Sequence, residues 1–131
     1  MQLENAPAAA GARRIGFGAA LARAVRLSFR LRGRASRPEF WYFFLVYVPS
    51  VLTLGVIESV VDEEWLYNVG TLLYLPWLVP FVSVGVRRLH DTGRSGWWCV
   101  GIIGCIGWTV LTVLWSRPGQ PGENRFGPPP R

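Results

Sequence analysis

Arg87, Arg88, His90, Asp91, Arg94 and Ser95 lie within nine consecutive residues, the densest group of chemically capable side chains in the chain. Arginines around Gly93, followed by a serine able to cap a helix, are the materials of an anion site. Guanidinium groups supply charge and forked donors, and a helix N-terminus adds free N–H groups and a partial positive charge. A phosphate or an acidic headgroup is the ligand that such a segment would take. The competing reading is a salt-bridge network, with Asp91 paired to Arg34, Arg37 or Arg88 and Glu39 and His90 as further polar members. His90, Asp91 and Ser95 also include the side-chain types of a hydrolase. Adjacent residues send their side chains in divergent directions, however, and no second cluster supplies an orienting group or an oxyanion hole, so no catalytic residue is assigned. His90 is the single histidine, and Cys99 and Cys105 share one apolar run, so no metal cluster and no cofactor is expected.

The elements that position these residues follow from charge patterning. Residues 40–57, 65–86 and 95–116 contain no charged side chain. As α-helices, runs of that length reach roughly 27–33 Å, close to the hydrocarbon thickness of a bilayer. A soluble domain of 131 residues would need polar outer faces on such helices. The expected fold is therefore an all-α membrane protein with three transmembrane helices, the third re-entrant in an alternative version. Trp41, Trp65, Trp97, Trp98 and Trp115 fall near the span ends, where indole favours the headgroup level, while Trp77 and Trp108 are expected between helices.

Four segments result: a disordered start at 1–12, a basic juxtamembrane segment at 13–37, the helical membrane domain at 38–116 and a Pro/Gly-rich tail at 117–131. The start carries Glu4 and no apolar core, so it is not read as a cleavable signal. From Ile15 to Leu31 the spacing predicts a basic amphipathic helix lying in the interface, with Phe17, Leu21, Ala24 and Ser28 on one face and Arg23, Arg26 and Arg30 on another. Ser36, Pro38 and Glu39 form the start signal of the first span. The tail is expected to be extended and mostly solvated.

Eight arginines precede the first span, none lies in the acidic loop Glu58, Asp62, Glu63, Glu64, and three lie at 87–94. The positive-inside rule then makes the N-terminus and residues 87–94 cytoplasmic. Three full crossings would put the tail outside, whereas a bend at Gly101, Gly104 and Gly107 would return it. Those glycines otherwise offer a close approach to a neighbouring helix or to a second copy in a homo-oligomer. A net charge of +6, carried beside apolar runs, fits anionic membrane lipids and not nucleic acid.

Gly33 and Arg34, with Arg37, Glu39, Phe40 and Trp41, resemble the entry motif G-R-x-x-R-x-E-[FY]-W of the domain of unknown function 805 family, which are small bacterial inner-membrane proteins. The run from Arg87 and Arg88 through His90, Asp91, Thr92, Gly93 and Arg94 to Ser95, Gly96, Trp97 and Trp98 is similar to its central signature. Pro121, Gly122, Glu123, Asn124, Arg125, Phe126, Gly127 and Pro128 resemble its tail motif. The resemblance implies residence in the bacterial inner (cytoplasmic) membrane and a multi-span helical fold, and no reaction. It also implies a shared cytoplasmic-face site drawn from Arg34, Arg37, Glu39, Arg87, Arg88, Asp91 and Arg94.

The leading functional expectation is a non-enzymatic inner-membrane protein whose arginine-rich cytoplasmic face, with Arg34, Arg37, Arg87, Arg88, Arg94 and Ser95, binds anionic lipid or an acidic partner. The alternative is a small oligomeric transporter or channel, with Pro76 and Pro80 breaking the second span. A membrane-bound enzyme on a lipid substrate is the third class, with Asp91, His90 or Glu39 as its base.

Overall fold

A computed structural model describes residues 15–61 and 63–130; the expected disordered start and Asp62 lie outside them. Among the described residues the chain is all-helical, with α1 (Phe17–Arg26), α2 (Arg37–Val61), α3 (Glu64–Asp91), a 3-10 segment (Gly96–Ile103) and α4 (Cys105–Ser116).

Small residues seat α1. Ala20, Ala24 and Ser28 are buried, while Phe17 and Val25 stay about half-exposed at the edges of that face. The Phe17 ring lies 5.5 Å from Tyr42 of α2. Ser83 Oγ of α3 sits 2.8 Å from Leu27 O and 3.0 Å from Arg30 O, fixing the turn that leaves α1. The first helix therefore lies across both long ones. Gly33, at φ +93°, then turns the chain in a conformation that a side chain would strain.

The start signal of α2 is half as expected. Ser36 Oγ accepts from Glu39 N at 3.3 Å. The Glu39 carboxylate, however, faces Arg23 and Arg87 and does not complete a capping box. At 1.5 Å per residue, the 25 residues of α2 and 28 of α3 extend about 37 and 42 Å. Both are long and apolar enough to cross a membrane. Pro49, Pro76 and Pro80 all lie inside these continuous helices, so the break that a transporter reading places at Pro76 and Pro80 is not present.

The polar stretch after the second apolar run is not a loop. α3 continues through Arg87, Arg88 and His90 to Asp91. Gly93 N then bonds His90 O at 3.0 Å and Arg94 N bonds Leu89 O at 3.0 Å, with Gly93 at φ +77°. This paired closure is how a left-handed glycine ends a helix. Helical spacing, i to i+3, places Arg88 and Asp91 on one face.

The third run also departs from the single spanning helix expected. It divides at Gly104 into the 3-10 segment and α4, whose 12 residues extend about 18 Å, too short for a hydrocarbon core of about 30 Å. A side chain on Gly107 would overlap the carbonyl of Gly101, so the two pieces meet backbone to backbone as a hairpin. Gly101 and Gly107 thus meet each other across the bend, and a Cβ on Gly104 would meet nothing within 4 Å. Both ends of the run return to the end of the helix pair where α2 starts and α3 stops.

The core gathers at that same end. Phe40, Phe43, Phe81, Leu89, Leu111 and Trp115 are buried there. Ring centres are 4.5 Å apart for Phe40 and Trp115, and 6.1 Å apart for Phe81 and Trp108. Trp108 is between helices as anticipated. Trp115 is fully buried, with its indole N–H donating to Gly85 O at 3.1 Å. Trp77 is half-exposed along a groove.

Candidate functional site

Asp91, in the last turn of α3, is the centre of the arginine cluster. Arg34 places Nε and Nη2 each 2.8 Å from its Oδ1, and Arg88 Nη1 donates to Oδ2. All three side chains are buried. Two guanidinium groups and one carboxylate leave an excess positive charge, which carbonyl oxygens answer. Arg88 Nε donates to Trp115 O at 3.0 Å and Nη2 to Arg117 O. These carbonyls close α4, where unbonded oxygens and the negative dipole end favour a cation. Arg37 Nε reaches the same Arg117 O at 3.1 Å. Arg34 continues outward, donating to Gln120 O, Gly122 O and Gly127 O.

The tail is thereby folded onto the cluster, although most of its side chains are exposed. Gln120 N donates to Asp91 O at 2.8 Å, and a side chain on Gly119 would overlap the Asp91 carboxylate. Asn124 Nδ2 donates to His90 O at 3.0 Å, and the Asn124 and Gly127 backbones pair across a tight turn. The Phe126 ring stacks on the His90 imidazole at 3.9 Å and 5°. His90 Nδ1 lies 3.1 Å from Gly33 O, so that nitrogen carries the proton.

A second node joins α1, α2 and α3. Glu39 Oε1 accepts from Arg87 Nη1 at 2.8 Å, and Arg23 Nε lies 3.4 Å from Oε2. Arg87 and Glu39 are almost wholly buried. Arg87 Nε and Nη2 have no hydrogen-bond partner among the described residues.

Of the residues named from sequence, Arg34, Arg37, Arg88, His90 and Asp91 come together around the tail, and Arg87 joins Glu39. Arg94 stands apart, with its guanidinium 5.6 Å from the Trp98 ring centre. Ser95 Oγ accepts from Trp97 N at 3.4 Å, capping the 3-10 segment. The arrangement holds chain segments together by charge-assisted bonds and offers no activated nucleophile. Sequence reasoning missed Arg23, Trp115, Gln120 and Asn124 as partners. Asn124 stood inside a recognised tail motif, but main-chain acceptors such as Trp115 O leave no signal in residue type.

The cluster draws on residues 34–39, 87–91 and 115–127, which are remote in sequence. A family model described as "Protein of unknown function (DUF805)" matches residues 28–128, taking in every member of both nodes except Arg23. The chain belongs to the DUF805 family. Among DUF805 relatives it is similar to the inner membrane protein YhaH of Escherichia coli K12, with 42% identity over 108 residues, covering 76% of this chain and 86% of YhaH. It is similar to the inner membrane protein YhaI of the same strain, with 37% identity over 100 residues, covering 76% and 84%. The uncharacterized protein YiiR is 33% identical over 107 residues, covering 76% and 68%. No solved structure matches this DUF805 chain. None of these names carries an activity.

Proposed function

We propose that this DUF805 protein is an inner-membrane lipid-binding protein, with two spans and a re-entrant hairpin, whose cytoplasmic arginines hold anionic headgroups. The observation that carries the reading is where the charges lie. Every described arginine belongs to the end where α2 starts, and Glu58, Glu63 and Glu64 to the other end. The buried arginines Arg34, Arg87 and Arg88 already face Asp91, Glu39 and main-chain carbonyls. Exposed Arg26, Arg30, Arg32 and Arg37 therefore meet the headgroups, from the end of α1, the segment after it and the start of α2. The lipid contact keeps Arg37 of the entry motif and extends to Arg26, Arg30 and Arg32, which precede it.

The inner-membrane assignment draws on the names of YhaH and YhaI. The orientation draws on the positive-inside rule. The hairpin draws on the Gly101–Gly107 contact and on Arg117 O meeting Arg37 and Arg88.

Two expected results follow. A fluorescent-protein fusion after Arg131 should fluoresce, and an alkaline phosphatase fusion there should be inactive; the reverse pattern would mean a third crossing. Protein extracted with its native lipids should carry phosphatidylglycerol or cardiolipin in excess over phosphatidylethanolamine. Changing Arg26, Arg30 and Arg32 together to Gln should lower that excess on the order of tenfold, and changing them to Lys should largely keep it. An excess insensitive to the Gln set would refute the headgroup assignment.

A further inference from the structure

A groove of about 820 Å³ runs between α1, α2 and α3, away from the arginine cluster. Val25, Phe43, Val46, Leu54, Leu73 and Trp77 are among the residues of its wall. Two of its polar side chains bond within the wall: Ser50 Oγ donates to Val46 O at 2.6 Å, and the Tyr74 hydroxyl donates to Ser50 O at 2.7 Å. The lining therefore suits hydrocarbon. Val46, Leu73 and Trp77 are 40%, 62% and 48% exposed, so the groove opens sideways where a bilayer's acyl chains would be.

Length and closure choose the occupant. From Phe43 to Leu54 the groove follows twelve residues of α2, about 16 Å end to end, or half of a hydrocarbon core of about 30 Å. One leaflet's acyl chain has that depth. At the arginine end α1 packs against both α2 and α3, so a spanning helix from a second copy running along the groove would meet it. Arg26 stands on α1 at this closed end, exposed and part of the groove's rim. It sits about one helical turn from Arg23, and Arg30 follows just after the end of α1, where a phosphate would complement the charge.

We infer that this groove is a binding site for one phospholipid with an anionic headgroup, its acyl chain along α2 and α3 and its phosphate on Arg26. The inference rests on the anionic-lipid reading above and narrows it to one place and one arginine.

The test uses the full chain in nanodiscs, with phosphatidylglycerol or phosphatidylethanolamine carrying a diazirine on one acyl chain. Adducts are mapped to single residues by mass spectrometry after irradiation. The phosphatidylglycerol probe should label Val46, Leu54, Leu73 and Trp77 above Leu45, Leu52 and Leu72, which face lipid outside the groove. Arg26→Gln should cut groove labelling by this probe about fivefold, to the level of the phosphatidylethanolamine probe. Ala22→Trp fills the groove from an exposed position on α1 and should remove groove adducts from both probes, sparing those at Leu45 and Leu72. Equal labelling of groove and outer faces would overturn the inference, as would a groove signal indifferent to Arg26→Gln. Groove residues that crosslink to a second copy would also overturn it. Should these fail while co-extracted lipid still shows its arginine-dependent headgroup excess, the groove site falls and the lipid reading stands; loss of both sinks both.

Discussion

Asp91→Ala should destabilise the protein by about 3–5 kcal/mol, because it leaves Arg34 and Arg88 buried without a counter-charge. Main-chain carbonyls of Trp115, Gln120 and Gly122 would still accept from them, but neutral acceptors do not offset two buried cations. The loss would be read in detergent as an earlier thermal collapse of the monodisperse peak in size exclusion. It should also loosen the tail, since the Asp91 carboxylate orients the Arg34 side chain that donates to Gln120 O, Gly122 O and Gly127 O, so trypsin should cut after Arg125 faster than in the parent. Removing Arg34 as well, as Arg34→Met with Asp91→Leu, should cost less than the two changes summed, because the stranded charge goes with its partner. A strictly additive pair would mean that the two side chains do not share one interaction.

Gly107→Val should be about as damaging, for a steric reason. The new side chain would occupy the position of the Gly101 carbonyl, a backbone group that no rotamer change can move aside. Overpacking costs typically about 1–3 kcal/mol, and a backbone clash belongs at the top of that range or above. Separating the two arms would also pull Trp108, Leu111 and Trp115 away from Phe40 and Phe81. Gly104→Ala is the control: a Cβ there meets nothing within 4 Å, and φ is −133°, so its stability should match the parent. Thermal melting of both variants by tryptophan fluorescence checks the contrast. Equal loss in both would mean that the glycines act through chain flexibility and not through contact.

The two long helices were legible because an absence of charge over some twenty residues has one common physical cause, burial in hydrocarbon. The network was partly legible. Asp91 paired with Arg88 and Arg34 follows from opposite charges near a span end, but the three candidate partners of Asp91 could not be ranked without knowing that α3 continues. Taking residues 87–94 as a loop hid the i to i+3 relation of Arg88 and Asp91, and Gly93 as a helix-ending glycine was the overlooked cue. Trp115 shows a different obstacle. An indole near a span end usually marks the headgroup level, and only the folding back of α4 turned it inward. The third run misled in the same way, because apolar length measures what can cross a bilayer and says little about whether the backbone stays straight. Three glycines were visible, yet whether they met another helix or each other depended on tertiary contact.

The meeting of residues 34–37 with residues 115–127 has a consequence for how such a chain can evolve. In the proposed topology of two spans and a re-entrant hairpin, the polypeptide returns to the leaflet from which it set out. A tandem duplicate would therefore insert with the same polarity as the original, and the copies would be related by an axis along the membrane normal. Inverted pairing, the arrangement many carriers build from an odd-numbered unit, would be closed to a chain of that topology.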